Sequence, residues 1–422
     1  MTSLVPESVT VPEHFDPSCP DLMAERVPLE EFAALRRTAR PWWNAQPRGR
    51  TGFDDGGFWV VSKHAHVKEI SRDHERFSAA ANGSVIRFNG SFTPEELAVQ
   101  RANLLINMDA PQHATLRRIV SRGFTPRVVE GLRDALRERA GRIVAEARRD
   151  GGGGAFDFVT RIAAELPLQA IAELMGVPQE DRGRLFAWSN RMLGYDDPEY
   201  DADPTGSAAE IIGYSMDLAE RRRACPAHDI VTRLVQADVR DGGDGARGLT
   251  DDEFGYFMIV LAVAGNETTR NAITHGMIAF LDDPGQWELF RAERPETTAD
   301  EVVRWSTPVT AFQRTAVRDT ELGGAEIRAG DRLAMYYSSA NFDEEVFERP
   351  ERFDITRSPN PHLGFGGTGA HYCIGASLAR LEIGLMFEAI ADELPGIRRA
   401  GEPRRLRSAW INGIKELPVR CG

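Results

Sequence analysis

One cysteine stands inside a glycine-rich loop near the end of the chain, in the segment GFGGTGAHYCIG at residues 364–375. Glycines let the backbone approach a phosphate, another chain segment or a flat cofactor more closely than a Cβ atom would allow. A phosphate-binding loop needs the order GxxxxGK[ST], and this loop has no lysine. A zinc site needs more thiolates or imidazoles than Cys373, His371 and the more distant His362 provide.

The thiolate of Cys373 alone is a sufficient protein ligand for a metal whose other positions are filled by a macrocycle, as in haem. The apolar residues after it recur at helical spacing, at Ile374, Leu378, Leu381 and Leu385, which predicts that Cys373 lies at a helix N-terminus. Free N–H groups and the helix dipole are expected to lower the thiol pKa there. A buried structural cysteine on a turn is the alternative, and Cys373 by itself does not decide between the two.

An acid and an alcohol stand side by side within a long predicted helix, TDDEFGYFMIVLAVAGNETTRNAITHGMIAFLDD. Thr250 and Glu253 have the spacing of a capping box at its start. The interior segment AGNETT contains poor helix formers, which predicts that the helix is widened or bent there. Glu267 beside Thr268 has the chemistry to relay protons into a dry pocket. The alternative is that Gly265 lets another helix pack closely while Glu267 forms a salt bridge.

A third signal, ExxR, occurs in ADEVVRWSTPV, where Glu301 and Arg304 lie one helical turn apart and can pair on one face. Downstream, FERPERFD contains Arg352, which is expected to bring a second guanidinium to the Glu301 carboxylate. Such a group of charges is typical of a structural ion-pair network, so we assign it no catalytic role.

The segment MDAPQHATLRRIV places His113 and Arg117 at positions i and i+4, on one face of a helix that begins after Pro111. A His/Arg pair can bind the propionate groups of a haem through charge-assisted hydrogen bonds. A solvated helix face is the alternative interpretation of the same pair.

The composition excludes several classes of protein. The 422 residues carry a net charge of -13, which argues against a nucleic-acid partner. Cys19, Cys225, Cys373 and Cys421 are far apart, which indicates a reducing compartment rather than a disulfide framework. The first residues resemble no signal peptide, and no apolar run reaches the roughly 20 residues of a membrane span. We therefore expect a cytoplasmic protein.

The periodicity predicts a mainly α fold with a smaller β-rich part. One amphipathic helix is expected over residues 127–149, before DGGGG ends it. Strand patterns occur in FWVVSK, between residues 309 and 335, and in LRSAWINGIKELPVR. YDDPEYDADPTG and RDGGDGARG are predicted loops.

The four signals together resemble the bacterial soluble cytochrome P450 family, in which the acid–alcohol motif, ExxR, PxRF and the cysteine loop follow one another in this order. Here they are AGNETT, EVVR, PERF and HYCIG. The segments NMDAPQHATLRRIVSRGFTPR, LAVAGNETTRNAITHGM and TPVTAFQRTA are most similar to the actinobacterial steroid C26-monooxygenases. The resemblance implies a cytochrome P450 fold over residues 1–422 as one catalytic domain, with an N-terminal extension of about 20 residues.

By this resemblance, Cys373 is the axial ligand of haem b, and Glu267 and Thr268 deliver protons for dioxygen activation. The family pattern has Phe seven residues before the cysteine, where this chain has Gly366, so it does not settle which N–H groups reach the sulfur. The resemblance implies four propionate-binding residues: His113, Arg117, Arg314 and His371. Other implied haem contacts are Ala264, Gly265, Phe365, Gly366 and Gly375. The implied substrate pocket contains Val263, Val309, Phe312 and Trp410.

The resemblance also implies an activity, which is oxidation of the terminal methyl of a cholesterol or cholest-4-en-3-one side chain with O2, once or on to the acid. No GxGxxG stands between a strand and a helix, so electrons are expected from a separate ferredoxin and its reductase. We expect a monomer. The open alternatives are oxidation of another lipid such as a branched fatty acid, a peroxide-using or isomerising haem-thiolate enzyme, and a haem sensor or carrier.

Overall fold

Helices make up most of the structure and surround one 32-residue helix, Asp251–Asp282. The computed structural model describes residues 11–12, 14–88, 93–227, 229–236, 239–240, 246–247 and 249–421. The helices are α1 (Pro20–Glu25), α2 (Leu29–Arg36), α3 (His64–Arg72), α4 (Pro94–Asn103), α5 (Gln112–Val120), α6 (Pro126–Glu130), α7 (Arg133–Gly151), α8 (Glu165–Met175), α9 (Arg182–Leu193), α10 (Pro204–Ala224), α11 (Ile230–Val235), α12 (Asp251–Asp282), α13 (Pro284–Glu293), α14 (Thr298–Ser306), α15 (Tyr337–Ala340) and α16 (Ala376–Glu393).

The strands form one five-stranded sheet and several small ones. They are β1 (Trp42–Ala45), β2 (Gly57–Val61), β3 (Phe77–Ser78), β4 (Ala155–Asp157), β5 (Val239–Arg240), β6 (Ala246–Arg247), β7 (Ala311–Ala316), β8 (Thr320–Leu322), β9 (Ala325–Ile327), β10 (Arg332–Tyr336), β11 (Arg398–Arg399), β12 (Arg404–Arg405), β13 (Ile414–Glu416) and β14 (Pro418–Arg420). The large sheet has the order β1-β2-β10-β7-β3, with β2 and β10 parallel. The others have the orders β11-β14-β4, β12-β13, β5-β6 and β8-β9. These elements confirm the mainly α fold with a smaller β-rich part.

The predicted capping box starts α12: the Thr250 side chain accepts from the Glu253 N–H, and Glu253 accepts from the Thr250 N–H at 2.9 Å. Its second half packs on α16, the helix that follows Cys373. The Phe280 ring lies 5.1 Å from that of Phe387, and a Cβ on Gly276 would lie 2.7 Å from the Phe387 ring. This packing fixes the two site-bearing helices relative to each other.

One sequence prediction about the helices needs correction. The helix expected over residues 127–149 is two helices, α6 and α7, because the chain turns at Gly131 and Leu132 before α7 begins. The predicted ending in DGGGG is confirmed, with Gly152 in the left-handed region at φ 51°. Most of the loop RDGGDGARG lies outside the described residues. Among the helices that are described, none is both long enough and apolar enough to cross a membrane.

His275, on α12, predicts how stability depends on pH. Burial, with Arg405 nearby, lowers its pKa to about 3, and its Nε2 lies 3.0 Å from the Asn412 carbonyl oxygen. Because a folded-state pKa below the unfolded value near 6.5 favours unfolding in acid, stability should fall as the pH drops below about 6.5. We expect a loss of about 2 kcal/mol from this residue between pH 7 and pH 5.

Urea unfolding at several pH values measures this effect in the wild type and in His275→Gln, which cannot titrate. The two proteins should differ in the slope of stability against pH over that interval. Parallel curves would show that His275 is not the group responsible.

Candidate active site

The Cys373 loop is held by its own backbone and by α3. The N–H of Cys373 donates to the Phe365 carbonyl oxygen at 2.9 Å, and Gly366 takes up φ 89° within the loop. Gly369 has φ 142°, and a Cβ there would collide with the backbone oxygen of Ser71 at the end of α3. Gly369 therefore lets the loop lie directly against α3.

The Cys373 thiol is solvent-accessible, yet protein surrounds it closely enough that burial raises its pKa. The Gly375 N–H, which hydrogen-bonds to the sulfur, and the cations Arg117 and Arg380 act in the opposite direction. The predicted lowering of the pKa is therefore wrong for the free thiol. The helix α16 starts only at Ala376, and burial outweighs the N–H groups that reach the sulfur.

Two histidine rings, one of them within this loop, pack against each other at a tilted angle. His113 on α5 and His371 lie with ring centroids 4.1 Å apart. Burial, with Arg117 and Arg314 nearby, lowers the pKa of His113 to about 4, and burial lowers that of His371 further. His113 is 3% exposed, and within the described chain its Nε2 has no hydrogen-bond partner. This buried nitrogen is free to bind a ligand atom.

Arg117 and Arg314 complete the cluster with the two histidines. Arg117 donates to the Tyr372 carbonyl oxygen, which links α5 to the cysteine loop, and Arg314 donates to the Ser84 hydroxyl at 3.2 Å. Neither arginine forms an ion pair with a described carboxylate, and burial lowers the pKa of both. The Asp109 carboxylate, whose charge acts on Arg314, accepts from the Ala79 N–H at 2.9 Å.

Four nitrogen-bearing side chains therefore converge next to a lone thiol, and two of them are unpaired cations. A dianionic group fits such a cluster. The donor set suits a haem with two propionates, because the thiol supplies an iron ligand and the cluster supplies the hydrogen-bond donors. The structure thus brings together Cys373, His113, Arg117, Arg314 and His371.

Helix α12 carries the acid, Glu267, and the alcohol, Thr268, on different sides. The Thr268 hydroxyl donates to the Ala264 carbonyl oxygen at 2.8 Å, and Ala264 is exposed although it lies at mid-helix. Glu267 is 2% exposed, and its Oε1 accepts from Arg270 and, at 2.8 Å, from Asn271. Within the described chain the carboxylate has no hydrogen bond to the Thr268 hydroxyl.

Both parts of the alternative interpretation of AGNETT are confirmed. A Cβ on Gly265 would collide with Ile171 of α8, so this glycine allows close helix packing, and Glu267 is in an ion pair with Arg270. The helix is continuously α-helical from Asp251 to Asp282, so the predicted widening is not found. The contact of Gly265 with a cofactor stays a prediction.

The ExxR pair is fully buried and bidentate. Arg304 donates to both oxygens of Glu301, from Nε and Nη2, each at 2.8 Å. The second guanidinium comes from Arg357, whose Nε donates to Glu301 Oε2 at 3.1 Å. The prediction that Arg352 supplies it is wrong, because the Arg352 side chain is exposed and only its carbonyl oxygen accepts from Arg304, at 3.2 Å.

The predicted pocket residues fall into two groups. The rings of Phe312 and Trp410 lie 6.2 Å apart, and an isolated bridge joins Val309 to Ile411, the neighbour of Trp410. Val263 is half-buried on α12, next to the exposed Ala264. Sequence reasoning missed Tyr195, which lies beside Trp410 and whose hydroxyl donates to the Arg87 carbonyl oxygen at 3.1 Å. It also missed Arg357, Arg270 and Asn271.

A family model described as Cytochrome P450 matches residues 168–391. A steroid C26-monooxygenase of Rhodococcus jostii is 60% identical over 409 residues, covering 97% of this chain and 85% of that protein. The chain belongs to the cytochrome P450 family. It is accordingly a monooxygenase, and haem b is its cofactor.

Two further comparisons define this cytochrome P450 more closely. A methyl-branched lipid omega-hydroxylase of Mycobacterium tuberculosis is 43% identical over 397 residues, covering 92% of this chain and 90% of that protein. The structure of a Mycobacterium marinum cytochrome P450 in complex with pseudoionone superposes with a TM-score of 0.88 at 36% identity, covering 99% of this chain and 100% of that one. The fold predicted from the motifs is therefore confirmed over nearly the whole chain.

Proposed function

We propose that this cytochrome P450 hydroxylates the terminal methyl, C26, of a steroid side chain. The observation that carries the proposal is the 60% identity to a steroid C26-monooxygenase over 97% of the chain. The substrate class is cholesterol or cholest-4-en-3-one, and further oxidation of the alcohol to the acid uses the same site. Oxidation of a methyl-branched lipid is the second candidate, supported by the relative that is 43% identical.

In this proposal the Cys373 thiolate would hold the haem by binding its iron. The haem supplies dioxygen activation and insertion of one oxygen atom into a C–H bond. The unpaired Arg117 and Arg314 and the closely packed His113 and His371 would bind the propionates, which would give a partner to the orphaned His113 Nε2. The remaining proposed haem contacts are Ala264, Gly265, Phe365, Gly366 and Gly375.

The walls of the proposed substrate pocket are apolar. Phe312 and Trp410 form an aromatic pair, with Val309 adjoining and Val263 on α12. A steroid presents a rigid apolar surface with one oxygen, so it suits a pocket with few polar groups. Tyr195, beside Trp410, is one such polar group.

Thr268 is expected to act in proton delivery, because its hydroxyl lies on the open side of α12 with its oxygen 2.8 Å from that of Ala264. We predict that Thr268→Ala retains haem and steroid binding but diverts electrons to hydrogen peroxide. Product formed per NAD(P)H consumed should fall about tenfold, a smaller effect than the roughly 10²–10⁴-fold that general acid–base catalysis typically contributes to a rate. The matched control is Thr274→Ala, which removes a buried hydroxyl of α12 that bonds Arg270 O at 2.8 Å. Equal coupling in both variants would contradict the role of Thr268.

The electrons are proposed to come from a ferredoxin and its reductase, with the ferredoxin docking on the side of Cys373. The exposed Tyr372, its neighbour in the loop, and Arg380, paired with Asp300 at 2.7 Å, lie on that side. We further propose that the whole chain is one catalytic domain, monomeric and cytoplasmic. The largest core cluster supports a single domain, because it combines residues from Leu105 to Val419.

Optical titration of the ferric enzyme tests the substrate class. Cholest-4-en-3-one should convert the haem from low spin to high spin at concentrations at least about tenfold lower than a methyl-branched fatty acid requires. The reverse order would favour the second candidate. A response to neither lipid would contradict both.

A further inference from the structure

Four polar side-chain atoms in the middle of α12 are buried and have no hydrogen-bond partner within the described chain. They are both amide atoms of Asn266, Oε2 of Glu267 and Nε of Arg270. Asn266 is 0% exposed, and the other two residues are also buried. Buried polar atoms of folded proteins bond either to other protein groups or to ordered water, so four such atoms within two turns indicate a water site.

This group faces α9. Arg270 donates from Nη1 to Asn190 Oδ1 at 3.2 Å, and the Ser189 hydroxyl donates to the Ala262 carbonyl oxygen at 3.0 Å. Asn266 lies one turn after Ala262 and one turn before Arg270, so it shares their side of α12. Its amide therefore lies in the interface between α9 and α12, next to the Arg270 guanidinium.

Glu267 is the member of this group that has a proposed role in proton delivery. One of its oxygens is occupied by Arg270 and Asn271, and Oε2 is the oxygen left for another partner. Tyr200, half-buried in the loop between α9 and α10, lies within electrostatic range of the pair. Burial raises its pKa, while Arg270 lowers it and Glu267 raises it further. Tyr200 is less buried than Glu267 and Arg270, so its side of the group is the one nearer to solvent.

The chemistry of the four atoms suits water. Asn266 Oδ1 and Glu267 Oε2 are acceptors, whereas Asn266 Nδ2 and Arg270 Nε are donors. A water molecule needs two to four polar partners, and this set offers both kinds. An aliphatic residue in place of Asn266 would be the better helix former and would leave nothing unsatisfied at that position, so packing alone does not account for the amide.

We propose that Asn266, Glu267 and Arg270 bind internal water between α9 and α12, and that Asn266 positions this water to return a proton to Glu267. The inference rests on the proposed role of Glu267 in proton delivery. Glu267 takes up one proton at Oε2 from the water and passes one on towards the reaction, while the water takes a replacement proton from solvent on the Tyr200 side. The charge of the group is thus the same after each cycle. Asn266 is a positioning residue that acts through Glu267.

A high-resolution crystal structure of the haem-loaded enzyme tests the site without reference to activity. Ordered water should lie about 2.6–3.2 Å from the Asn266 amide and from Glu267 Oε2. It should be lost or displaced in Asn266→Leu, which keeps the branching of the side chain but has no polar side-chain atom. An Asn266 amide bonded only to protein atoms, or a dry interface in the wild type, would overturn the proposal.

Turnover with a ferredoxin and its reductase tests the role. Asn266→Leu should lower product per NAD(P)H by about tenfold and increase the solvent isotope effect, with haem content and steroid affinity unchanged. Ser189→Ala is the matched control, because it removes a buried hydroxyl from the same interface without contacting Glu267, and it should behave as wild type. Equal coupling in Asn266→Leu and wild type would overturn the role of Asn266.

The variant Glu267→Gln distinguishes a failure of the water relay from a failure of the proposed role of Glu267 in proton delivery. If Glu267→Gln is uncoupled while Asn266→Leu is normal, only the water relay is overturned. If Glu267→Gln itself is fully coupled, the proposed role of Glu267 fails, and the relay fails with it.

Discussion

Cys373→His should yield a protein that still binds haem but forms no hydroxylated steroid, with product formation reduced by about 1000-fold or more. Haem should be retained because His113, Arg117, Arg314 and His371 are unchanged, and because an imidazole is itself an iron ligand. Activity should be lost because imidazole lacks the electron donation of a thiolate, which favours O–O cleavage.

Two measurements check this variant, the haem content and the spectrum of the reduced protein under carbon monoxide. The red-shifted Soret band of thiolate ligation should be present in the wild type and absent from Cys373→His. Cys225→Ser is the control, because Cys225 is an exposed thiol at the end of α10. A thiolate band that persists in Cys373→His would identify another cysteine as the ligand.

The second large effect is on stability. Glu301→Ala should destabilise the fold by about 3–5 kcal/mol, because it leaves buried charges without their partner. The carboxylate accepts five hydrogen bonds, from two Arg304 nitrogens, Arg357, Asn360 and the Asp354 N–H. Both Glu301 and Arg304 are 0% exposed, so water cannot replace what is lost. Thermal or urea unfolding, together with the yield of haem-loaded protein, measures the effect.

Arg352→Ala is the matched control for this network. Its side chain is exposed and makes no hydrogen bond to Glu301, so the variant should stay within about 0.5 kcal/mol of wild type. Arg357→Ala should be clearly destabilising. If Arg352→Ala lowers the free energy of unfolding as much as Arg357→Ala does, the assignment of the second guanidinium to Arg357 is incorrect.

The contrast between these two arginines shows what the sequence can predict here. Glu301 and Arg304 are one helical turn apart, so their pairing follows from local geometry. The third partner comes from a loop more than fifty residues away, and its position depends on how that loop folds over α14. Arg352 and Arg357 are both near enough in sequence, and only the tertiary structure distinguishes them.

In the cysteine loop and in α12, too, some features depend on tertiary contacts that the sequence does not predict. The order of the four motifs was enough to predict the family and the fold, because each motif is a short contiguous segment. The raised pKa of Cys373 depends on burial by distant residues, and Gly369 is required by contact with Ser71 of α3. Likewise, the close approach of Gly265 to Ile171 and the ion pair between Glu267 and Arg270 support the packing interpretation of AGNETT. The sequence of that segment alone left the proton-relay and packing interpretations equally open.

The most direct test of the proposed function is the identity of the product formed from cholest-4-en-3-one by the enzyme, supplied with a ferredoxin, its reductase, NAD(P)H and oxygen-18 dioxygen. We expect a product with one oxygen-18 atom at the terminal methyl of the side chain, which mass spectrometry and NMR would place at C26. Labelled oxygen on the ring system, or consumption of NAD(P)H without any oxidised steroid, would contradict it.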